Sequence, residues 1–290
     1  MIPASFEYEA PESLDAALQL INSGGDGTKI IAGGHSLLPL MKLRLATPET
    51  LVDLGRIDSL RYIKESANCI HVGAMTRYVD LQDSDAVRRV LPVLAQAAGL
   101  VGDAQVRNRG TLGGAIAHAD PAGDMPSVAV ALEAEIEIAG PTGSRSVAAN
   151  DFFLDIFETA LEPGEIITEI RFPIHEHVAQ HYEKYRLRLC DWAMVSAVAS
   201  LVLDQGGVIV SARVALVNVG PTPMRAKGVE SALAGAQATA GLLAAASTHA
   251  AEGLDPTPEL NAPVPYKLHL ARVITYRALA KAVGITVNPL

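Results

Sequence analysis

Two glycine turns carry the residues best suited to hold a ligand: Ala32-Gly33-Gly34-His35-Ser36 and Thr111-Leu112-Gly113-Gly114. The first follows Lys29-Ile30-Ile31, a β-branched run, and leads into Leu37-Leu38-Pro39-Leu40, where Pro39 suits the first turn of a helix. This order predicts a strand, a turn and a helix start, with backbone N–H groups aimed beyond the turn. Glycine has no Cβ, so a pyrophosphate can come against the main chain, and N–H donors together with the helix dipole can bind it without a lysine.

The second turn is read as following another apolar, strand-like run. It leads into His118-Ala119-Asp120-Pro121-Ala122-Gly123-Asp124, which sets two carboxylates in an apolar neighbourhood. A carboxylate ten residues beyond a glycine pair can reach a ribose or adenine edge. Either pair alone is what an ordinary turn carries. Together they predict a cradle for a large phosphate-bearing cofactor. Neither has the G-x-G-x-x-G or G-x-x-x-x-G-K-[ST] spacing, which argues against a standard dinucleotide or NTP site.

The elements that must position these turns can be read in outline. Pro11 to Ile21 reads as a helix with Leu14, Leu18 and Ile21 on one face and Gly24-Gly25 as its stop. Thr50 to Leu54, Tyr62-Ile63 and Cys69 to Val72 read as short strands, and Leu91 to Leu100 as a buried helix. Two β-rich lobes follow, each with one glycine turn. Glu135 to Ile138 alternates, and Gly140-Pro141-Thr142-Gly143 turns it into Arg145-Ser146-Val147. Glu165 to Phe172 reads as a strand, and a composition change at Pro173 to Gln180 marks a domain boundary. Beyond it, strands Ala193 to Leu203 and Val208 to Val219 are joined by Asp204-Gln205-Gly206-Gly207. The alanine-rich stretch Gly228 to Glu252 reads as a tightly packed helix pair, interrupted by Gln237, Thr239, Thr248 and His249, and Tyr266 to Val283 as a final helix.

Length and composition narrow the function classes. A chain of 290 residues suits two domains and buries about 75% of its unfolded surface. A net charge of -9 with scattered basic residues argues against nucleic acid. The densest basic group, Lys184 with Arg186 and Arg188, reads as a solvated face unless it belongs to the cofactor pocket. No apolar run is long enough to span a bilayer, and Met1 to Ser5 has no secretory pattern, so cytoplasmic residence is expected. Two cysteines, Cys69 and Cys190, cannot ligate an iron–sulfur cluster or a structural zinc by themselves, and the eight histidines show no metal-binding spacing.

Taken in order, Ala32 to Pro39, Thr111 to Gly114, Asp120 to Asp124 and Asp191-Trp192-Ala193 resemble the FAD-binding medium subunit of the molybdenum hydroxylases. That family includes carbon monoxide dehydrogenase, xanthine dehydrogenase and nicotine dehydrogenase, and the resemblance covers essentially the whole chain. It implies an α+β fold: a two-lobed FAD-binding domain of the vanillyl-alcohol-oxidase type over residues 1–176, then a smaller α+β domain over 177–290 with a three-stranded antiparallel sheet and helices. Carried over by position, it puts Lys29, Ala32, Gly33, Gly34, His35, Ser36 and Leu37 around the pyrophosphate, with Thr111 and Gly114 in the second loop. Asp124 corresponds to a carboxylate on the adenosine part, Val101 and Ile167 to apolar residues lining the cofactor, and Lys184 to a basic residue near the flavin. Asp191 and Trp192 correspond to the pair at the isoalloxazine ring, where an aromatic side chain gives flat contact and controls access. The family more often has Gln at the place of His35; a histidine still donates a hydrogen bond, and its protonation would make flavin affinity depend on pH.

The resemblance implies an oxidoreductase subunit with FAD but no catalytic side chain or metal of its own. It would pass electrons from [2Fe-2S] clusters of a small iron–sulfur partner to an external acceptor, while a large molybdopterin subunit oxidises the substrate. The expected assembly is a heterotrimer or a dimer of heterotrimers. Two other readings compete: a self-contained FAD-dependent oxidase or reductase, for which Tyr185, His181 and Asp191 are the proton-donor candidates, and an assembly subunit without cofactor. Intact glycines in both loops count against the latter.

Overall fold

Three larger sheets, a two-stranded pair and the helices around them build the described part of the chain, and the computed structural model describes residues 2–287. Met1 and residues 288–290, the outer ends of the two expected domains, lie outside them.

The first lobe is a parallel sheet of β1 (Glu7–Glu9), β2 (Thr28–Ile31) and β3 (Thr50–Asp53) in the order β1-β3-β2. Against it lie α1 (Leu14–Gly24) and, after the first glycine turn, α2 (Leu37–Lys42). Helix α1 starts later than its apolar pattern suggests because Ser13 is the cap, its hydroxyl accepting from the N–H of Ala16 at 3.2 Å. It runs on to Gly24, where Gly25 takes a positive φ of 60° and ends it.

The second lobe is an antiparallel sheet in the order β4-β5-β10-β6-β7. Its strands are β4 (Ile63–Glu65), β5 (Cys69–Gly73), β6 (Glu135–Gly140), β7 (Gly143–Ala148) and β10 (Ile166–Pro173). A small pair, β8 (Phe153–Asp155) with β9 (Glu158–Thr159), stands beside it. Between β5 and β6 run α3 (Tyr78–Asp83), α4 (Asp85–Val90), α5 (Pro92–Leu100), α6 (Ala104–Arg107), α7 (Leu112–His118) and α8 (Asp124–Ala131). The second glycine turn is therefore entered from α6, not from a strand: the apolar run before it is the interior helix α5. A short α9 (Ala149–Phe152) follows β7.

The third sheet is antiparallel, β11 (Val178–Tyr185), β12 (Val195–Leu203), β13 (Ile209–Val217) and β14 (Met224–Arg225) in sequence order. The three expected strands are the long ones, and β14 adds a two-residue edge. Helices α10 (Lys227–Leu233), α11 (Ala240–Ser247) and α12 (Val264–Ala282) cover it. The alanine-rich stretch is indeed two helices. Helix α8 packs on β12 and β13 as well as on α5, so the second and third sheets share one apolar core that contains Ile170, Phe172, Tyr182, Val198 and Val217.

Candidate cofactor site

The two glycine turns meet in space across a contact that spans 76 positions of sequence.

 That span runs from Gly33 to Arg109: a Cβ on Gly33 would stand 2.4 Å from the carbonyl oxygen of Arg109 and 2.7 Å from the Cα of Gly110. A Cβ on Gly114 would lie 3.7 Å from the Cβ of Ala32. Gly33 thus serves the contact between the turns, a use the sequence reading did not assign to it. Gly34 has a different reason to be glycine, a left-handed φ of 76° that turns the chain from β2 into α2.

The first turn presents a row of donors. Among the described residues, the main-chain N–H groups of Gly33, Gly34, His35 and Ser36 make no hydrogen bond. Nor does Ser36 use its hydroxyl to cap α2. Main-chain donors in succession on a glycine turn at a helix start match the oxygen atoms of a pyrophosphate. His35 and Lys29 are both exposed, Lys29 on β2 beside the turn.

The second turn is fixed to the strand-side chain segment next to it. Leu112 N–H donates to Thr76 O and Gly113 N–H to Ala74 O, each at 2.9 Å, and a Cβ on Gly113 would meet that of Ala74 at 2.5 Å. Thr111 caps α7, its hydroxyl oxygen accepting from Gly114 N–H at 3.2 Å. The hydroxyl keeps its own proton available for a ligand.

Asp124 and Lys184 meet: Lys184 Nζ lies 2.8 Å from Asp124 Oδ2, with side chains 2% and 4% exposed, so the residue that the resemblance puts near the flavin pairs with the one that it puts on the adenosine part. They form one buried ion pair at a single place. Lys184 Nζ also donates to Leu100 O at 3.2 Å, beside Val101, and the Tyr182 hydroxyl donates to Asp124 Oδ1 in a short hydrogen bond. Burial raises the Asp124 carboxyl above the ordinary carboxylate range, and Lys184 and Tyr182 oppose that rise. Burial and Asp124 hold Tyr182 well above the usual phenol range, so it remains a donor. Lys184 is no part of a solvated basic face. Ile167 is buried in the core on β10.

Asp191 and Trp192 stand on a tight turn between β11 and β12. Arg188 N–H donates to Asp191 Oδ2 at 3.0 Å, Asp191 N–H donates back to Arg188 O at 3.2 Å, and Cys190 between them has a φ of 72°. Trp192 is 61% exposed. An exposed indole beside a buried Ala193 is not a core tryptophan, and its face is free to stack on a flat ring. Sequence reasoning missed Tyr182 and Asn218; β11 has no apolar alternation to mark Tyr182 as inward, and nothing in Val217-Asn218-Val219 marks Asn218. Among the described residues no cluster of His, Cys, Asp and Glu could hold a metal, and no helix is long and apolar enough to cross a membrane.

Comparison with known proteins shows the family. Residues 4–175 match the family described as the FAD binding domain in molybdopterin dehydrogenase, and residues 180–282 the CO dehydrogenase flavoprotein C-terminal domain. The carbon monoxide dehydrogenase medium chain of Hydrogenophaga pseudoflava is 42% identical over 97% of this chain and 98% of its own length. Subunit alpha of the 6-hydroxypseudooxynicotine dehydrogenase complex of Paenarthrobacter nicotinovorans is 36% identical over 97% and 96%. Among solved structures, quinoline 2-oxidoreductase from Pseudomonas putida 86 superposes with a TM-score of 0.93 at 37% identity, covering 97% of this chain and 98% of that one. The donor row, the packed glycine turns and the exposed tryptophan fit FAD, and the chain belongs to the family of FAD-binding medium subunits of the molybdenum hydroxylases, which are subunits of oxidoreductase complexes.

Proposed function

We propose that this chain is the electron-transfer subunit of a molybdenum hydroxylase heterotrimer, working between [2Fe-2S] clusters on a small partner and an external acceptor, with substrate oxidation on a large molybdopterin partner. The observation that carries this reading is the first glycine turn, with four successive main-chain donors left for a ligand among the described residues. When bound, FAD would supply the exchange between single-electron and paired-electron transfer.

The chain's own residues bind and orient. Gly33, Gly34, His35 and Ser36 would hold the pyrophosphate through main-chain N–H groups, with Ala32, Leu37 and Lys29 around them and Thr111 and Gly114 on the facing turn. The Asp124–Lys184 pair anchors the chain near Val101. Trp192 would cover the flavin ring, with Asp191 holding the turn that carries it. Leu187, Leu189 and Trp192 are all more than half exposed, which supports docking of the iron–sulfur partner on this face. The boundary between the FAD-binding and C-terminal domains is drawn between β10 and β11, at 176/177. Unpaired Cys69 and Cys190 are consistent with a reducing, cytoplasmic setting.

The test is to express the chain alone and within its native complex. The isolated chain should purify with FAD, show a flavin spectrum without iron–sulfur absorption, and leave aldehydes and N-heterocycles unoxidised; the complex should add the iron–sulfur bands. Substrate turnover by the single chain would favour a self-contained flavoenzyme. Absence of flavin from both preparations would favour an assembly subunit.

A further inference from the structure

We infer that Asn218 is a positioning residue that holds the Asp191-Trp192-Ala193 turn against the Asp120–Asp124 loop, an inference that rests on the cofactor site proposed above. Asn218 follows β13 with a left-handed φ of 62°. Its polar groups reach three other segments. The main-chain N–H donates to Pro121 O at 2.9 Å, fixing the loop that enters α8 at Asp124. The side-chain Nδ2 donates to Ala193 O at 2.8 Å and to Glu259 Oε1 at 2.7 Å. The carbonyl oxygen accepts from Lys267 Nζ at 3.3 Å, and that same ammonium lies 2.6 Å from Glu259 Oε1.

The residue type follows from these demands. Asparagine enters the left-handed region more readily than most side chains and carries two N–H donors on one short amide. Aspartate has the same shape and no donor. Lys267 is fully buried, so its charge must be met locally, and Glu259 meets it while accepting from Asn218. The amide is therefore held in one orientation from behind, with its other N–H aimed at the carbonyl of the residue after Trp192. Holding Ala193 O fixes the exit of the tryptophan turn relative to the Asp120–Asp124 loop. Two segments assigned to the cofactor, far apart in sequence, are tied through one residue that touches neither flavin nor phosphate in this assignment.

Asn218→Gly removes the two side-chain bonds and tolerates the left-handed backbone; Asn218→Asp keeps the shape and removes the donors. The full chain of each should be compared with the parent by hydrogen exchange without FAD, and by FAD titration with the fluorescence of the bound flavin as readout. Both variants should speed exchange in residues 189–194 and leave the strands of the five-stranded sheet unchanged. Both should weaken FAD binding about tenfold, from the loss of one or two hydrogen bonds, and alter the flavin fluorescence. Parent-like exchange in residues 189–194 would overturn the role of Asn218. Faster exchange together with unchanged FAD affinity and fluorescence would keep the tie to Ala193 but overturn its role toward the cofactor. A parent chain that binds no FAD would overturn the site reading itself, separately from either result.

Discussion

The carbonyl oxygen of Arg109 lies where a side chain on Gly33 would begin, 2.4 Å from an ideal Cβ, so the two cofactor turns pack backbone against backbone. Because main chain cannot step aside as a side chain can, Gly33→Ala should separate the turns and destabilise the fold by about 2 kcal/mol. At Gly114 an added methyl meets the Thr111 hydroxyl at 2.8 Å and otherwise only Ala32 Cβ at 3.7 Å, so Gly114→Ala should cost less than about 1 kcal/mol. Thermal melts of the FAD-free proteins should rank Gly33→Ala well below Gly114→Ala, while both lose FAD. Equal melting temperatures would remove the turn-to-turn contact as the reason for Gly33.

Removing one member of the buried Asp124–Lys184 pair leaves the other charge without compensation. Lys184→Met should destabilise by about 3–5 kcal/mol, and adding Asp124→Asn should restore much of that loss, since the leftover charge then disappears. A double-mutant cycle by denaturant unfolding reads the coupling directly. Additive effects of the two substitutions would contradict the ion pair.

Acid stability should depend on Glu183, which joins β11 to α12. Burial would raise its carboxyl, but hydrogen bonds from His181, Lys281 and Arg277 outweigh this and bring it from 4.5 to about 2. A carboxyl lowered in the folded state contributes stability above its unfolded value, and that contribution is lost as pH falls from about 4.5 toward about 2. Glu183→Gln should therefore lower stability at neutral pH and flatten the decline across that window. Parallel stability curves for variant and parent would show that Glu183 contributes nothing there.

Trp192 contributes little to the core because most of it is exposed. Trp192→Ala should leave stability within about 0.5 kcal/mol of the parent and change the fluorescence and reoxidation rate of bound flavin. If both flavin properties match the parent, the indole does not cover the ring.

Where local chemistry dictates the backbone, the fold was legible: Gly140 to Gly143 and Asp204 to Gly207 are the hairpin turns of β6–β7 and β12–β13. Helix α8 was not legible, since all eight of its residues are buried and no polar face remains to give a period. The glycine turns could be located from sequence but not their contact, which joins residues 76 positions apart, Gly33 and Arg109. The ion pair of Lys184 was not legible for a related reason: Arg186 and Arg188 nearby suggest a wet surface, while a carboxylate from α8 takes Lys184 inside. Asn218 shows no signal because its role lies in a backbone angle and in partners from three segments.

The core shared by Phe172 of β10, Tyr182 of β11 and Val217 of β13 crosses the line at which the two matched families abut. A fragment ending there would leave α8 with its β12–β13 face bare, and the complementary fragment would expose the underside of its own sheet. A chimera that swaps the C-terminal portion between relatives must therefore also bring matching residues on α5 and α8, and unfolding of the intact chain should couple both portions in one cooperative step.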